Sequence, residues 1–187
     1  MEPEYYSVRE VEEMGFQAVG SQVLISRTAR IYHPEKMTIG SHVLIDDFAI
    51  LNGEIHIGSY VHVSSYTELY SGKASITLED FVGLSSHISI YATSDDYSGA
   101  SLSNSTVPPA FRFEEDLPVV IKKHALFGTH CIILPGVTVG EGCSFGSASL
   151  VNKDTEPWGI YVGVPARRIR EREKGILEFE RRLNGEK

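Results

Sequence analysis

Apolar residues return at every sixth position along most of this chain. The step runs through Val19, Ile25 and Ile31, resumes at Ile39, Ile45, Leu51, Ile57, Val63 and Leu69, and again at Leu78, Leu84 and Ile90. After one long interruption it continues through Ile121, Phe127, Ile133, Val139, Phe145 and Val151. Neither a helix nor a simple strand alternation has this period; a hexapeptide repeat does. Four residues after most of these positions stands a small or β-branched residue, among them Val23, Ala29, Val43, Ala49, Thr67, Val82, Ala125, Cys131 and Ser149. Two inward positions per six residues describe a short strand and a corner.

The register yields 18 hexads, and three flat sides per turn make six coils of a triangular parallel β-helix. Extra residues fall only after the third hexad of a coil: two between Ile31 and Ile39, three between Leu69 and Leu78, and 25 between Ile90 and Ile121. Every insertion therefore leaves the prism at one corner. The pattern predicts a short lead-in helix within residues 1–18, with Ser7 as N-cap and Glu10 three residues on, a β-helix over 19–162 and a tail over 163–187. Ile169, Ile176, Leu177 and Leu183 fall at helical intervals and predict an amphipathic C-terminal helix.

The chain resembles the hexapeptide-repeat acyltransferases with a left-handed β-helix, in particular the galactoside, maltose and xenobiotic acetyltransferase group. The resemblance covers residues 19 to 170 and includes GTHCIILPG at Gly128–Gly136, LVNKDTEPWG and GVPARRIR at Gly163–Arg170. The segment SDDYSG at Ser94–Gly99 is similar to the sugar acetyltransferases of bacterial capsule and O-antigen synthesis. The left hand is what this family implies, since crossovers between parallel strands are normally right-handed. The resemblance also implies a homotrimer with active sites between subunits.

The excursion 93–118 is too long for a passive connector and is the expected functional loop. Galactoside-type relatives open it with a histidine that acts as general base. Asp95 stands there in this chain, with Asp96 beside it. A carboxylate of ordinary pKa, about 4, is a poor base for a hydroxyl, so either the base lies elsewhere or the acceptor is an amine. His62 projects outward beside Ser64, whose position in the relatives belongs to the acceptor site, and an imidazole polarised by Asp95 or Asp96 is a competent base.

His87 and His130 share a repeat position 43 residues apart and should stack as neighbouring rungs, a structural ladder or a catalytic alternative to His62. His124 is an acceptor-site residue or a corner packing residue. Asp96 and Tyr97 suit a sugar ring, although Ser94, Asp95, Asp96 and Gly99 are also turn formers. For the donor, the resemblance carries the CoA site onto Thr129, Ser147, Asn152, Arg167 and Arg170, the two arginines facing the phosphates.

The net charge of −8 argues against nucleic acid and anionic membrane surfaces. No apolar run reaches a membrane span, the start MEPEYY is unlike a signal peptide, and Cys131 and Cys143 fall on inward positions, which together indicate a cytoplasmic protein. The expected function is acetyl transfer from acetyl-CoA, as co-substrate and with no metal, to a sugar hydroxyl. An amino sugar is the alternative acceptor, a zinc protein like the γ-class carbonic anhydrases is a second alternative, and a catalytically silent scaffold a third.

Overall fold

A computed structural model describes residues 4–185; the first three residues of the lead-in and the last two of the tail lie outside them. The chain winds into a left-handed parallel β-helix of six full coils and part of a seventh. Face I carries Ala18–Val19, Met37–Ile39, Val119–Ile121 and Thr138–Val139; face II carries Leu24–Ile25, Leu44–Ile45, His62–Val63, Gly83–Leu84, Leu126–Phe127, Ser144–Phe145 and Gly159–Val162. Face III carries Arg30–Tyr32, Ser89–Tyr91, Ile132–Ile133 and Leu150–Val151. The long strands Ile50–Ile57 and Glu68–Leu78 bend from face III onto face I of the next coil. All the insertions leave at this III/I corner.

Parallel pairing puts each inward residue directly above its counterpart one rung below, as in Ile25↔Ile45, Ile45↔Val63, Val63↔Leu84, Leu84↔Phe127 and Phe127↔Phe145. These side chains are fully or almost fully buried and form one continuous core. Burial of each large aliphatic or aromatic side chain contributes about 1.5–3 kcal/mol. Cys131 and Cys143 lie in that core as free thiols, and burial pushes the Cys131 thiol above its usual range.

Two corners carry ladders of stacked rings. At the I/II corner His42, Tyr60, Phe81 and His124 stack at 4.5–5.0 Å. At the II/III corner Phe48, Tyr66, His87 and His130 stack at 4.6–5.0 Å. The histidine pair expected from spacing is thus the upper half of a four-ring ladder. Each ladder residue sits in the left-handed region, φ near +60°, which turns the side chain outward at the bend. Gly142 takes the next rung of the I/II corner with φ +67°, and a Cβ there would meet Trp158 ring carbons at 2.5 Å. The indole of Trp158, from the seventh coil, fills the place that Gly142 leaves, tilted over His124 at 6.4 Å.

The open ends are closed by different means. At the start, helix α1 (Val8–Glu13) has the expected capping box, Ser7 N–H donating to Glu10 Oε2 and Glu10 N–H to Ser7 Oγ. The Ser7 hydroxyl, which donates to Glu10 Oε2 at 2.7 Å, then the Ser7 N–H and the Arg27 guanidinium pull the Glu10 carboxyl down to about 2. At the other end the segment around Ile169, expected to be helical, is first a strand, Arg167–Glu171, antiparallel to Gly159–Val162. An unpaired sheet edge is satisfied there by backbone bonds that a helix does not offer, and helix α2 (Ile176–Leu183) begins only after Gly175. Replacing Gly142 by Ala should displace the Trp158 ring and lower stability by about 1–3 kcal/mol, as overpacking does. A thermal melt by circular dichroism checks this; an unchanged midpoint contradicts the rung-filling account.

Candidate active site

The end of face II opens a column of small polar residues that climbs the II/III corner. Backbone bonds from Ser64 N to Leu84 O, Ser85 N to Phe127 O, Gly128 N to Phe145 O and Gly146 N to Tyr161 O place Ser64, Ser85, Gly128 and Gly146 on successive rungs. Asp46 occupies the rung below Ser64. From the same face His62 projects with its side chain about half exposed. Its Nε2 lies 2.8 Å from Asp46 Oδ2 and 3.3 Å from Ser64 Oγ. Within one chain the carboxylate that holds His62 is Asp46. A partner one rung below was legible in the register, because Asp46 precedes Ser64 by the 18 residues of one regular coil.

Asp95 and Asp96 stand at the mouth of the long excursion. Thr93–Asp95 pairs antiparallel with Glu114–Asp116, so the excursion rises from the III/I corner on a two-stranded stem. Asp95 Oδ2 accepts a 3.3 Å bond from Asn104 N–H; Oδ1 accepts none among the described residues. Asp96 is fully engaged within the loop. Its oxygens accept from Ser98 N–H and Ser101 N–H at 2.8 Å and from Ser101 Oγ at 3.1 Å, and the Ser98 bonds foremost hold its carboxyl down at about 2. The turn-forming reading of Asp96 has this geometry behind it. Tyr97 is 93% exposed.

His62 and Ser64 thus lie on face II and Asp95 on a stem at a different corner. One chain does not bring them together. His124 is buried: its Nε2 lies 2.7 Å from Glu180 Oε2 on helix α2, and Glu180, which also pairs with Lys123, is held below the usual carboxylate range by Lys123 first and His124 after. His124 therefore has the corner packing role, tying α2 to the coil.

Of the residues expected at the donor site, Thr129 and Ser147 lie on the fifth and sixth coils at the II/III corner. Thr129 Oγ1 donates to Ser86 O at 2.7 Å, and Ala148 N–H to Thr129 O at 2.9 Å. A Cβ on Gly128 would stand 2.7 Å from Ser147 N, so only glycine leaves the strand backbone open there. Asn152, Arg167 and Arg170 are exposed. Arg170 has no ion-pair partner among the described residues, and Arg168 pairs with Glu171 at 2.5 Å. Arg172 is set apart from this cluster: it is half-buried and donates to the carbonyls of His124, Gly142 and Cys143, as a brace of the terminal cap.

No family model matches the chain. The dTDP-4-amino-4,6-dideoxy-D-glucose acyltransferase of Escherichia coli is 38% identical over 179 residues, 94% of this chain and 93% of the relative. The chain belongs to the hexapeptide-repeat sugar acyltransferases. Among solved structures, a single-residue mutant of AntD, an N-acyltransferase from Bacillus cereus, in complex with dTDP and coenzyme A, superposes on this acyltransferase with a TM-score of 0.96 at 42% identity, covering 98% of this chain and 99% of that one. AntD has also been solved with dTDP and 3-hydroxybutyryl-CoA. A hexapeptide-repeat containing acetyltransferase of Vibrio cholerae shares the fold at 21% identity, with a TM-score of 0.58 over 89% of this chain and 80% of that one. The carbonic-anhydrase alternative is not favoured: His124 of the acyltransferase turns inward to Glu180, and His87 and His130 stand in a ring ladder. No helix among the described residues is long and apolar enough to cross a membrane.

Asp96 supplies a test of the loop. Its carboxyl sits at about 2 in the folded chain and near 3.9 when unfolded, so its contribution is complete above about pH 4 and is lost as pH falls toward 2. Pepsin should therefore cut within residues 97–112 of the native chain only at the lower end of that window. In Asp96→Ala it should cut there throughout; equal cleavage of the two proteins argues against the loop-organising role.

Proposed function

We propose that this chain transfers an acyl group from coenzyme A to the amine of a dTDP-linked 4-amino-4,6-dideoxy sugar. The observation that carries this is the match along nearly the whole length to an acyltransferase named for that sugar nucleotide and to an AntD mutant solved with dTDP-4-amino-4,6-dideoxyglucose and coenzyme A. The residue at the loop mouth agrees with it. A hydroxyl needs a strong base to become a nucleophile, whereas a neutral amine attacks unaided and must only shed a proton as the C–N bond forms. Asp95, with one carboxylate oxygen uncommitted, is suited to hold that amine by an N–H bond and to receive the proton. As the tetrahedral adduct collapses, the C–S bond breaks and coenzyme A leaves as the thiolate, which the proton taken up by Asp95 then converts to the thiol. The backbone N–H near Gly128 is the donor offered to the developing oxyanion.

The donor lies along the II/III corner on the fifth and sixth coils, over Thr129 and Ser147, with Asn152, Arg167 and Arg170 toward its phosphates. Because one chain separates Asp95 from the Ser64–Ser85–Gly128 column, the loop of one subunit serves the corner of the next, as in a homotrimer with three sites. The aromatic loop residues Tyr97, Phe111 and Phe113, all more than 60% exposed, then find cover at that neighbour. A cytoplasmic setting and a role in cell-surface polysaccharide synthesis go with a nucleotide-activated acceptor.

The His62–Asp46 pair favours a second reading, O-acylation, since an imidazole held by a carboxylate is the base a sugar hydroxyl requires. Acceptors decide between the two. Purified protein with acetyl-CoA should release thiol with dTDP-4-amino-4,6-dideoxyglucose and not with the 4-hydroxy counterpart; the reverse selectivity establishes O-acylation. In the amine reading Asp95→Asn should lower kcat/KM by about 10²- to 10⁴-fold while His62→Ala keeps near-normal turnover, and the hydroxyl reading reverses that order. Exchanging Arg167 and Arg170 together for Ala should weaken coenzyme A binding, each charge-assisted contact being worth about 1.5–3 kcal/mol, with the melting temperature unchanged. Unaltered calorimetric binding would place the phosphates elsewhere.

A further inference from the structure

Beside the II/III ring ladder, on face III, lies a groove of about 380 Å³ that runs from the second coil to the fifth, within the size range of small-ligand sites. Phe48, Tyr66, His87 and His130 wall one side, and Glu68 and Ser89 lie in it. Tyr70 and Tyr91, stacked at 5.5 Å, stand beyond Glu68 along the same strands. Its upper end reaches His130, two residues from Gly128 and one from Thr129, where the donor site begins.

The hydrogen bonds of Glu68 are lopsided. Ser89 Oγ and Tyr91 OH both donate to Oε1, each at 2.8 Å, so each hydroxyl spends its only proton there. Oε2 accepts nothing among the described residues. It is an anionic acceptor with its orientation fixed by its twin oxygen. Around it the imidazoles of His87 and His130 edge the groove, and their ring nitrogens make no hydrogen bond among the described residues. A carboxylate acceptor with imidazoles along one wall matches the edge of a ring that presents an N–H beside a carbonyl. That is the imide edge of thymine or uracil.

We propose that this groove holds the pyrimidine base of the nucleotide sugar, with Glu68 Oε2 accepting the imide N3–H. The assignment rests on the nucleotide-sugar reading above and adds to it the residue that selects the base. Cytosine presents a lone pair at N3 and is repelled by the carboxylate. The diphosphate, itself anionic, then runs away from Glu68 toward the donor end of the corner, and the groove holds only the neutral part of the acceptor.

Glu68→Gln tests this without disturbing the local network. The amide oxygen still accepts from Ser89 and Tyr91, and the amide nitrogen puts a donor where Oε2 stood. Calorimetric titration of the full-length protein with dTDP, dCDP and N3-methyl-dTDP should find the native protein binding dTDP about ten- to a hundredfold more tightly than either of the other two, the span of one hydrogen bond to a charged group. In Glu68→Gln, dTDP should weaken by a similar factor, the gap to the N3-methyl analogue should close, and dCDP should gain on dTDP. Coenzyme A titration and the melting temperature should not move. If the native protein binds N3-methyl-dTDP as well as dTDP, or the variant keeps the native preference, the base assignment is overturned while the nucleotide-sugar reading stands. If the native protein binds no dTDP at all, both fall.

Discussion

Parallel pairing at one rung spacing, about 4.8 Å, is the constraint from which everything else in this molecule follows. A single coil cannot bury its inward side chains; only the coils above and below cover them. Like therefore stacks on like, aliphatic on aliphatic inside and ring on ring at two corners. An aromatic pair at this spacing adds about 0.5–1.5 kcal/mol beyond burial, so the corners reinforce the register already set by the core. One residue out of step on one rung would turn its apolar side chain to solvent, which is why extra residues collect at a corner and not within a face.

The same constraint leaves a problem at each end. A solenoid has no internal reason to stop, and its last coil exposes both an apolar core and unpaired strand groups. At the C-terminal end Tyr161 stacks on Phe145 at 5.3 Å to cover the core. Arg167–Glu171 then reverses direction to pair with the last face II strand, and Arg172 satisfies three carbonyls. Burial pushes the Arg172 guanidinium below its usual range, the mark of a charge recruited for structure. Glu180 secures helix α2 to Lys123 and His124.

What the sequence revealed and what it hid divides along this line. The hexad step identified the inward positions, the corner that carries the insertions and the stacking of His87 on His130, because rung pairing makes those consequences of counting. It missed Asp46 as the partner of His62, although one coil of regular register separates Asp46 from Ser64. Ser85 is hidden for the same reason: its neighbours Ser64 and Gly128 lie up and down the column, not along the chain. The start of the C-terminal helix was misplaced because Ile169 keeps helical spacing with Ile176, and only the unsatisfied edge of the last coil makes Arg167–Glu171 a strand. The role of His124 was undecided in the sequence since its partner Glu180 is 56 residues away and outside the repeat.

Outward positions escape the packing constraint, and that freedom lets chemistry be written along a corner. Columns there have a fixed pitch, so Ser64, Ser85, Gly128 and Gly146 lie rung by rung at set separations without any loop to position them, and the proposed donor and acceptor would share that spacing. What the prism cannot supply is a group that reaches over the column, since every face projects away from its own axis. The excursion at the III/I corner is the part of the chain long enough to do so, and in the proposed site Asp95 at its mouth would decide which nucleophile is served. With a carboxylate in that place, the reactivity has to come from the acceptor itself. An amine has it; a hydroxyl would have to borrow it from His62 and Asp46.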